Sequence, residues 1–398
     1  INEVMAYSSL IRKMGWVAVL CVLLCLSACN EADEPRVMPV AENTLFMYFP
    51  WAEDLTPYFE RNISDMEKSA KSVDMSGQRI VVYFADSETT ASLFEIVCKN
   101  GQIRRETLKT YHNPETTTAE GVALIFLDVK SFAPARSYSM TIGSHGMGWI
   151  PVDRSTETVK QRMLRQMPHA AGMPTRYFGG LEPAHQIDVA EFAYGISLAG
   201  LHFDFILFDD CYMSSVEAAY DLREATDRIV ASPCEIMAFG LPYDRVGPHL
   251  LGDADLNAVC DEFIDFYTSY PVPCGTLAVI DCRELDELAA LMKTANLRYE
   301  LTSEQIADVQ SLDCFSPPVF FDLGDYAAKL CASDATLSAA IQLQLSAAVP
   351  YEVHTPNYYT SSTGYEKLST CSGISVSDPS VNALASEKTA TAWWQATH

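Results

Sequence analysis

The sequence predicts an α/β fold around a mainly parallel sheet, and two features of its pattern lead to that prediction. Short apolar segments rich in β-branched and aromatic residues alternate with stretches of helical periodicity. The apolar segments are continuous runs rather than alternating ones, which is typical of strands that are covered on both faces. The expected sheet is therefore largely parallel, with helices on both sides.

Six apolar segments are predicted to be buried strands. They are 44–49, 79–85, 122–129, 138–143, 203–208 and 275–281. Helical periodicity predicts four helices, at 55–73, 215–226, 285–298 and 334–348. We therefore expect a core over 44–281 and a smaller helical C-terminal subdomain over 282–398, whose last helix is anchored by Trp393 and Trp394.

The N-terminus predicts export. Arg12 and Lys13 precede an apolar run over 15–26, which is about half as long as a membrane-spanning helix and is typical of a signal peptide. The run ends in a small-residue pattern before Cys29, as in a bacterial lipobox, so 1–29 is predicted to be a lipoprotein signal with Cys29 carrying the lipid. Residues 30–43 are an acidic, polar tether. Ordinary secretory cleavage beside an incidental cysteine is the alternative.

Such an anchor predicts a place in the bacterial cell envelope, at the outer membrane, facing the periplasm or the cell surface. The formal net charge of −25 argues against nucleic-acid binding and favours cationic partners. Nine cysteines follow Cys29, and an odd number leaves at least one thiol unpaired within a monomer. No Cys/His cluster has zinc spacing, so no structural metal site is expected.

A histidine follows one predicted strand. His145 lies in the glycine-rich run 141–149, directly after the strand 138–143. In open α/β sheets, ligands bind at this carboxyl end of the strands. Gly146 allows a sharp turn and can present its N–H to a developing oxyanion. A turn histidine in a glycine-rich loop is the alternative.

A cysteine follows the next predicted strand along the chain. Cys211 lies between the strand 203–208 and a helix that Ser214 is expected to begin, with Glu217 completing a capping box. The helix N-terminus favours a thiolate. A buried structural cysteine is the alternative, although the polar neighbours of Cys211 argue against an apolar surrounding.

His145 and Cys211 lie 66 positions apart in sequence, yet one edge of a parallel sheet brings them together. Imidazole then helps to deprotonate the thiol, and the thiolate attacks a carbonyl to form an acyl-enzyme. A third, orienting carboxylate is not identifiable from the sequence.

These motifs resemble the clostripain family of caspase-fold cysteine peptidases. The likeness rests on the order of a Ser-His-Gly loop, a long linker and an Asp-x-Cys-x-Met loop, and it extends over 44–398. It implies a caspase-like αβα sandwich and hydrolysis of protein or peptide substrates after Arg or Lys. It also implies that Asp209, two positions before the nucleophile, lines the substrate pocket, with Glu235 as a second pocket candidate. An ordinary strand-end carboxylate is the alternative for Asp209.

The chain departs from the family pattern at two positions beside the nucleophile. Asp210 stands where relatives carry a small residue, and Tyr212 stands where they carry an aliphatic one. A carboxylate at position 210 is expected to raise the pKa of the thiol. Some relatives depend on calcium, but the sequence contains no EF-hand loop and requires no cofactor, so calcium is implied by the resemblance alone.

The sequence as a whole predicts an exported, lipid-anchored cysteine endopeptidase. A catalytically weak lipoprotein that binds basic peptides in the same pocket is one alternative, and a thiol hydrolase acting on a non-peptide amide is another. The polar segment 151–180 is a candidate for self-cleavage, since such peptidases often mature by cutting this linker; solvated basic residues in a surface insertion are the alternative. The candidate sites in it are Arg154, Lys160, Arg162, Arg165 and Arg176.

Overall fold

A nine-stranded sheet forms the centre of the structure. The structure is a computed structural model, and it describes residues 39–52, 54–152 and 185–398. The strands of the chain are β1 (Ala41–Phe49), β2 (Gln78–Ala85), β3 (Thr90–Lys99), β4 (Gln102–His112), β5 (Ala135–Ile142), β6 (Ile206–Phe208), β7 (Arg228–Ala231), β8 (Thr276–Asp281), β9 (Phe320–Asp322), β10 (Tyr351–His354), β11 (Asn357–Thr360), β12 (Gly364–Lys367) and β13 (Ser375–Ser377). The large sheet has the order β10-β8-β7-β6-β5-β1-β2-β3-β4. Its middle, from β2 to β7, is parallel.

Helices connect these strands. They are α1 (Thr56–Ser72), α2 (Ala119–Phe132), α3 (Val189–Leu198), α4 (Val216–Leu222), α5 (Tyr243–Val246), α6 (Leu256–Thr268), α7 (Leu285–Asn296), α8 (Ser303–Ala307), α9 (Leu323–Leu330), α10 (Ala335–Ala348) and α11 (Ala392–Thr397). Short 3₁₀ helices lie at Gly247–His249, Cys282–Glu284 and Ala383–Ala390. None of the helices in the described part is long and apolar enough to cross a membrane.

The parallel middle of the sheet is buried on both faces, as its continuous apolar strands predict. Successive side chains of a strand point to opposite faces, and in β1 Phe46 and Tyr48 enter one hydrophobic cluster while Leu45 and Met47 enter another. All four are at most 2% exposed. Five of the six predicted strands and all four predicted helices are confirmed, with boundaries shifted by a few residues.

The predicted strand at 122–129 is wrong, because this segment lies within α2. Its apolar residues are spaced for a helix: Val122, Phe126 and Val129 are buried, whereas Leu124 and Leu127 are exposed. Thr118 caps the helix by accepting a hydrogen bond from the Gly121 N–H. An apolar run this short fits a strand and a buried helix equally well, and the burial pattern decides for the helix.

The sequence pattern does not predict the hairpin of β3 and β4, because β4 lacks an apolar run. β4 is mostly exposed and carries charged residues, so it has no apolar run that would mark a strand. Ten of its residues pair with β3, including Thr90 with His112 and Lys99 with Gln102. Backbone pairing at a sheet edge leaves this kind of strand without a hydrophobic signature.

Residues after Cys282 contribute to the large sheet as well as to helices. β10 pairs antiparallel with β8, with Val353 opposite Leu277. β13 pairs with β9 in a separate two-stranded sheet. The division of the chain at 281/282 stays a prediction. The N-terminal signal, Cys29 and most of the tether lie outside the described residues, as does 153–184, which contains all five candidate cleavage sites.

Candidate active site

The loops that carry His145 and Cys211 leave the large sheet at the same edge. β5 and β6 are parallel neighbours, and Ile142 at the end of β5 pairs with Phe208 at the end of β6. His145 is the third residue after Ile142, and Cys211 is the third residue after Phe208. The Asp209 N–H donates to the Ile142 carbonyl oxygen across this gap at 2.8 Å. The two residues therefore follow paired positions on adjacent strands.

Glycines bring the two loops into backbone contact. A Cβ atom at Gly146 would lie 2.3 Å from the carbonyl oxygen of Cys211 and 2.9 Å from its nitrogen. At Gly148, where φ is +58°, a Cβ would lie 2.8 Å from the carbonyl oxygen of Tyr212. Any side chain at these positions would force the loops apart, so glycine is required by close approach.

A carboxylate holds the histidine. Asp54 Oδ1 lies 3.1 Å from His145 Nε2, and the His145 side chain is 1% exposed while that of Asp54 is 37% exposed. Burial raises the pKa of Asp54, but the hydrogen bond and charge of His145, with the backbone N–H groups of Asp54 and Leu55, outweigh it and lower that pKa below 3.8. Asp54 is thus a carboxylate in contact with His145 that the sequence did not reveal. It follows β1, the neighbour of β5, and this shared sheet edge is the signal that points to it.

A second carboxylate joins the two loops. Asp210 is fully buried, and its Oδ1 accepts a hydrogen bond from the backbone N–H of Ser144, the residue before His145. The unusual aspartate beside Cys211 thus joins the cysteine loop to the histidine loop. The expected effect of Asp210 on the pKa of the thiol stays a prediction.

Cys211 is held by the loop after β7. Its Sγ accepts a hydrogen bond from the Ile236 N–H at 3.2 Å and lies 3.5 Å from the Ile236 carbonyl oxygen. The Cys211 side chain is fully buried. The Ile236 N–H can donate to Cys211 as a thiol or as a thiolate.

The predicted capping box of α4 is wrong. The N-cap is Ser215, which accepts from the Ala218 N–H, and α4 is only seven residues long. The carboxylate of Glu217 instead accepts from the Ser377 N–H at 3.0 Å and lies 3.1 Å from Lys388 Nζ. Ser214 donates to the carbonyl oxygen of Gly373. Tertiary contacts with the C-terminal segment therefore replace the local cap.

Comparison with known proteins decides the family. The sequence profile of the clostripain family matches residues 48–315. The chain belongs to the clostripain family. It is thus a cysteine peptidase, and its sheet with helices on both faces is the caspase-like sandwich that the resemblance implied. No curated protein matches the chain.

Solved structures of clostripain-family proteins agree with this assignment. A secreted C11 cysteine protease from Bacteroides thetaiotaomicron, "iotapain", is 45% identical, with a TM-score of 0.84 over 90% of this chain and 100% of its own. An inactive zymogen C11 protease from Parabacteroides distasonis is 26% identical, with a TM-score of 0.75 over 91% and 100%. A clostripain from Bacteroides thetaiotaomicron in complex with the peptide inhibitor BTN-VLTK-AOMK is 49% identical, with a TM-score of 0.55 over 56% and 99%.

The two candidate pocket carboxylates of this clostripain-family chain bind protein groups. Asp209 is fully buried, and its Oδ1 accepts from the Leu241 N–H at 3.0 Å. Glu235 is 6% exposed; its Oε1 accepts from the Tyr212 hydroxyl at 2.8 Å and its Oε2 accepts from the Ser361 N–H at 2.9 Å. Asp209 follows β6, and Glu235 follows β7, the neighbour of β6 on the side away from β5.

Tyr212, the second departure from the family pattern, has a structural role. Its ring stacks on Phe320 with centroids 4.9 Å apart and planes at 14°, and its φ of 60° turns the chain sharply after Cys211. Burial, followed by the charge of Glu235, raises the pKa of its hydroxyl well above 10.0. The phenol therefore remains protonated and donates to Glu235.

The described part of the chain has neither a cluster of metal ligands nor a disulfide bond. No group of three or more His, Cys, Asp or Glu side chains there is arranged to hold a metal ion, so calcium rests on the family resemblance alone. No disulfide bond joins cysteines within the same residues.

Proposed function

We propose that this clostripain-family peptidase is an exported, lipid-anchored endopeptidase in which His145 is the base and Cys211 the nucleophile. The observation that carries the proposal is their placement three residues beyond the paired ends of β5 and β6, with Gly146 packed against the backbone of Cys211. Acyl transfer needs a base and a nucleophile in fixed relative positions, and loops that leave one sheet edge together support such an arrangement.

The proposed reaction uses the two ring nitrogens differently. Asp54 accepts a hydrogen bond from the Nε2–H group of His145, and this bond favours the tautomer in which Nδ1 is the proton acceptor. Nδ1 takes the thiol proton, and the Cys211 thiolate attacks the substrate carbonyl to give a tetrahedral oxyanion. The Gly146 N–H stabilises this oxyanion, and the imidazolium protonates the leaving amine. Water then hydrolyses the thioester with His145 as the base.

We propose that cleavage follows Arg, and Lys less readily, with Asp209 in the substrate pocket. A carboxylate has about four acceptor sites, so a bond from Leu241 and bonds from a guanidinium are compatible at one carboxylate. A charge-assisted hydrogen bond of this kind is roughly twice as strong as a neutral one, and the planar guanidinium can be held by two parallel bonds. The related clostripain binds an inhibitor whose peptide, VLTK, ends in lysine, and the net charge of −25 favours cationic peptides.

Export and anchoring complete the proposal. The apolar run before Cys29 and its small-residue pattern support a lipoprotein signal, and one relative is described as secreted. Self-cleavage within 151–180 fits the basic residues of that segment, and another relative is described as an inactive zymogen.

The test of the dyad compares Cys211→Ala and His145→Ala with Cys98→Ala and His202→Ala, which make the same changes away from the site. We expect kcat/KM for arginyl peptides to fall roughly a thousandfold or more in the first pair only. Normal turnover in Cys211→Ala or His145→Ala would refute the dyad. Binding of basic peptides by a wild-type protein that does not cleave them would favour the alternative, a catalytically weak lipoprotein.

The pocket is tested by comparing Asp209→Asn and Glu235→Gln on arginyl and neutral substrates. We expect Asp209→Asn to reduce kcat/KM for arginyl substrates far more than for neutral ones. Equal reductions would show that Asp209 is a structural carboxylate, and a charge-selective loss in Glu235→Gln would transfer the pocket role to Glu235.

A further inference from the structure

A pair of aromatic rings lies where two segments next to the dyad meet. Asp54, the carboxylate in contact with the histidine, lies two residues before α1, and Tyr58 is in the first turn of that helix. Ile236, whose N–H donates to the cysteine Sγ, lies three residues before Phe239. The rings of Tyr58 and Phe239 pack edge to face, with centroids 5.6 Å apart and planes at 84°. Each ring therefore belongs to a segment that contacts one member of the dyad.

The loop that carries Phe239 also reaches the candidate pocket for arginine. The Leu241 N–H donates to Asp209 Oδ1 at 3.0 Å, so Phe239 lies in the chain between the contact with the cysteine and the contact with this carboxylate. Three residues of chain span at most about 11 Å, and an extended peptide covers the same distance with about three residues. The rings are therefore within reach of substrate residues up to about three positions from the cleaved bond.

Hydrogen bonds from two helices hold the turn that carries Phe239. The Asn62 side chain on α1 donates to the carbonyl oxygens of Phe239 and Leu241, both at 3.4 Å. The Tyr267 hydroxyl on α6 donates to the Gly240 carbonyl oxygen between them at 2.9 Å. Asn62 and Tyr267 are 1% and 2% exposed. A turn fixed in this way loses little conformational freedom when a ligand binds, which favours a specificity site at this position.

The surroundings of the rings favour an uncharged, apolar ligand group. Tyr58 and Phe239 are both partly exposed, so they keep accessible surface beside the dyad. The Arg61 guanidinium carbon lies over the Phe239 ring, 5.6 Å from its centroid, and this positive charge disfavours a second cation there. Asp65 lies 3.6 Å from Arg61 and already pairs with it. Any charged side chain would also lose hydration against the rings, whereas an apolar one gains from the contact.

We propose that Tyr58 and Phe239 form a second specificity site, which takes an apolar side chain such as Leu from the peptide substrate. That side chain belongs to a residue within about three positions of the cleaved bond. It is not the residue directly before the bond, because that position is assigned to arginine and Asp209. The site rests on the proposed peptidase activity and adds a second selected position to it.

The experiment uses the mature protein and peptide libraries with arginine fixed before the cleaved bond and each other position varied. Leu is compared with Asn, which has nearly the same shape but a polar end. We expect wild-type kcat/KM to favour Leu at one position by about fivefold to thirtyfold. Phe239→Ala and Tyr58→Ala should each reduce this preference at least about threefold, while kcat/KM for the Asn peptide changes little.

The control variants remove aromatic rings on the other face of the sheet. Tyr194 on α3 is 55% exposed, and Phe132 at the end of α2 is partly buried against the hydrophobic cluster on that face. Tyr194→Ala and Phe132→Ala should keep the full preference for Leu. A general effect of losing a surface ring would instead appear in all four variants.

The outcomes separate the two proposals. If the wild type cleaves no arginyl peptide, the proposed activity fails and the specificity site with it. If it cleaves such peptides but favours Leu at no position, the specificity site alone is refuted. A folded Phe239→Ala or Tyr58→Ala variant that keeps the full preference refutes it too, as does an equal loss of kcat/KM for the Leu and Asn peptides. Should Phe239→Ala fail to fold, Tyr58→Ala alone decides.

Discussion

The histidine loop and the cysteine loop are neighbours, yet different parts of the chain hold them. His145 is held by Asp54 after β1 and by the Gly146 contact, and Ser144 is bound by Asp210, so the support comes from the centre of the sheet. The cysteine loop depends on the last third of the chain. Ser214 donates to Gly373, and Glu217 binds Ser377 and Lys388. His145 is thus held by groups near the centre of the sheet, whereas the cysteine loop is held by the loop after β7 at Cys211 and by a distant C-terminal segment at Ser214 and Glu217.

Ser377 is where the two supports meet. Its hydroxyl accepts the indole N–H of Trp149 from the histidine loop, and its backbone N–H donates to Glu217 from the cysteine helix. Damage to the C-terminal segment should therefore affect the cysteine loop and its helix α4 first, and His145 less.

The largest effect is expected for Lys388→Met. The Lys388 and Glu217 side chains are 6% and 0% exposed, so the change leaves a buried carboxylate without its cation. We expect the free energy of unfolding to fall by about 3–5 kcal/mol, measured by chemical denaturation. Lys293→Met, at an exposed lysine, should change it by less than about 0.5 kcal/mol. Adding Glu217→Gln to Lys388→Met should restore part of the lost stability. Equally small losses of stability in both lysine variants would show that the Lys388–Glu217 pair does not support the cysteine loop.

Asp54→Asn should act on the base and spare stability. Because the carboxyl is one-third exposed, folding should be nearly unchanged, while kcat falls on the order of a hundredfold, or about 2.7 kcal/mol. The pKa of Asp54 is lowered, so its support of His145 is present above pH 3.8 and lost only as the pH falls through that lower value. Glu60→Gln on α1 is the control; similar kcat values for the two variants would refute an orienting role.

Asp210 is tested by the contrast of two substitutions. Asp210→Ala removes the acceptor of the Ser144 N–H and should cost about 1–3 kcal/mol of stability, with a loss of activity. Asp210→Asn keeps an oxygen at the same place and should retain more of both. Equal stability and equal activity of the two variants would show that the hydrogen bond from the Ser144 N–H to Asp210 contributes to neither.

The smallest effect is a pH dependence at Asp221 on α4. Burial, with the nearby charge of Glu217, raises the pKa of this carboxyl to about 6, although a hydrogen bond from the Ala392 N–H opposes the rise. A raised pKa means that its contribution to stability is full below pH 3.8 and is lost as the pH rises through about 6. The Asp221→Asn variant has no titrating group at this position. Its free energy of unfolding, relative to that of the wild type, should therefore rise by roughly 1–2 kcal/mol as the pH increases from 3.8 to about 6. Parallel pH profiles would contradict the prediction.

Much of the site followed from local pattern because strands and loops are local features. A continuous apolar run predicts a buried strand, and two parallel strands end at one edge, so His145 and Cys211 were predictable as neighbours from 138–143 and 203–208 alone. Where periodicity is ambiguous, as at 122–129, or absent, as in β4, the same reasoning gave the wrong element or none.

The family, the two catalytic candidates and the nearby glycines can be recognised from the sequence alone, because each is encoded within a short segment. The contacts of Asp54 with His145, of Asp210 with Ser144 and of Glu217 with Lys388 are visible only in the folded chain. Asp54 and His145 are 91 positions apart, and no periodicity links such residues. Which group a carboxylate binds depends on distances and burial in the folded chain, and a sequence shows neither.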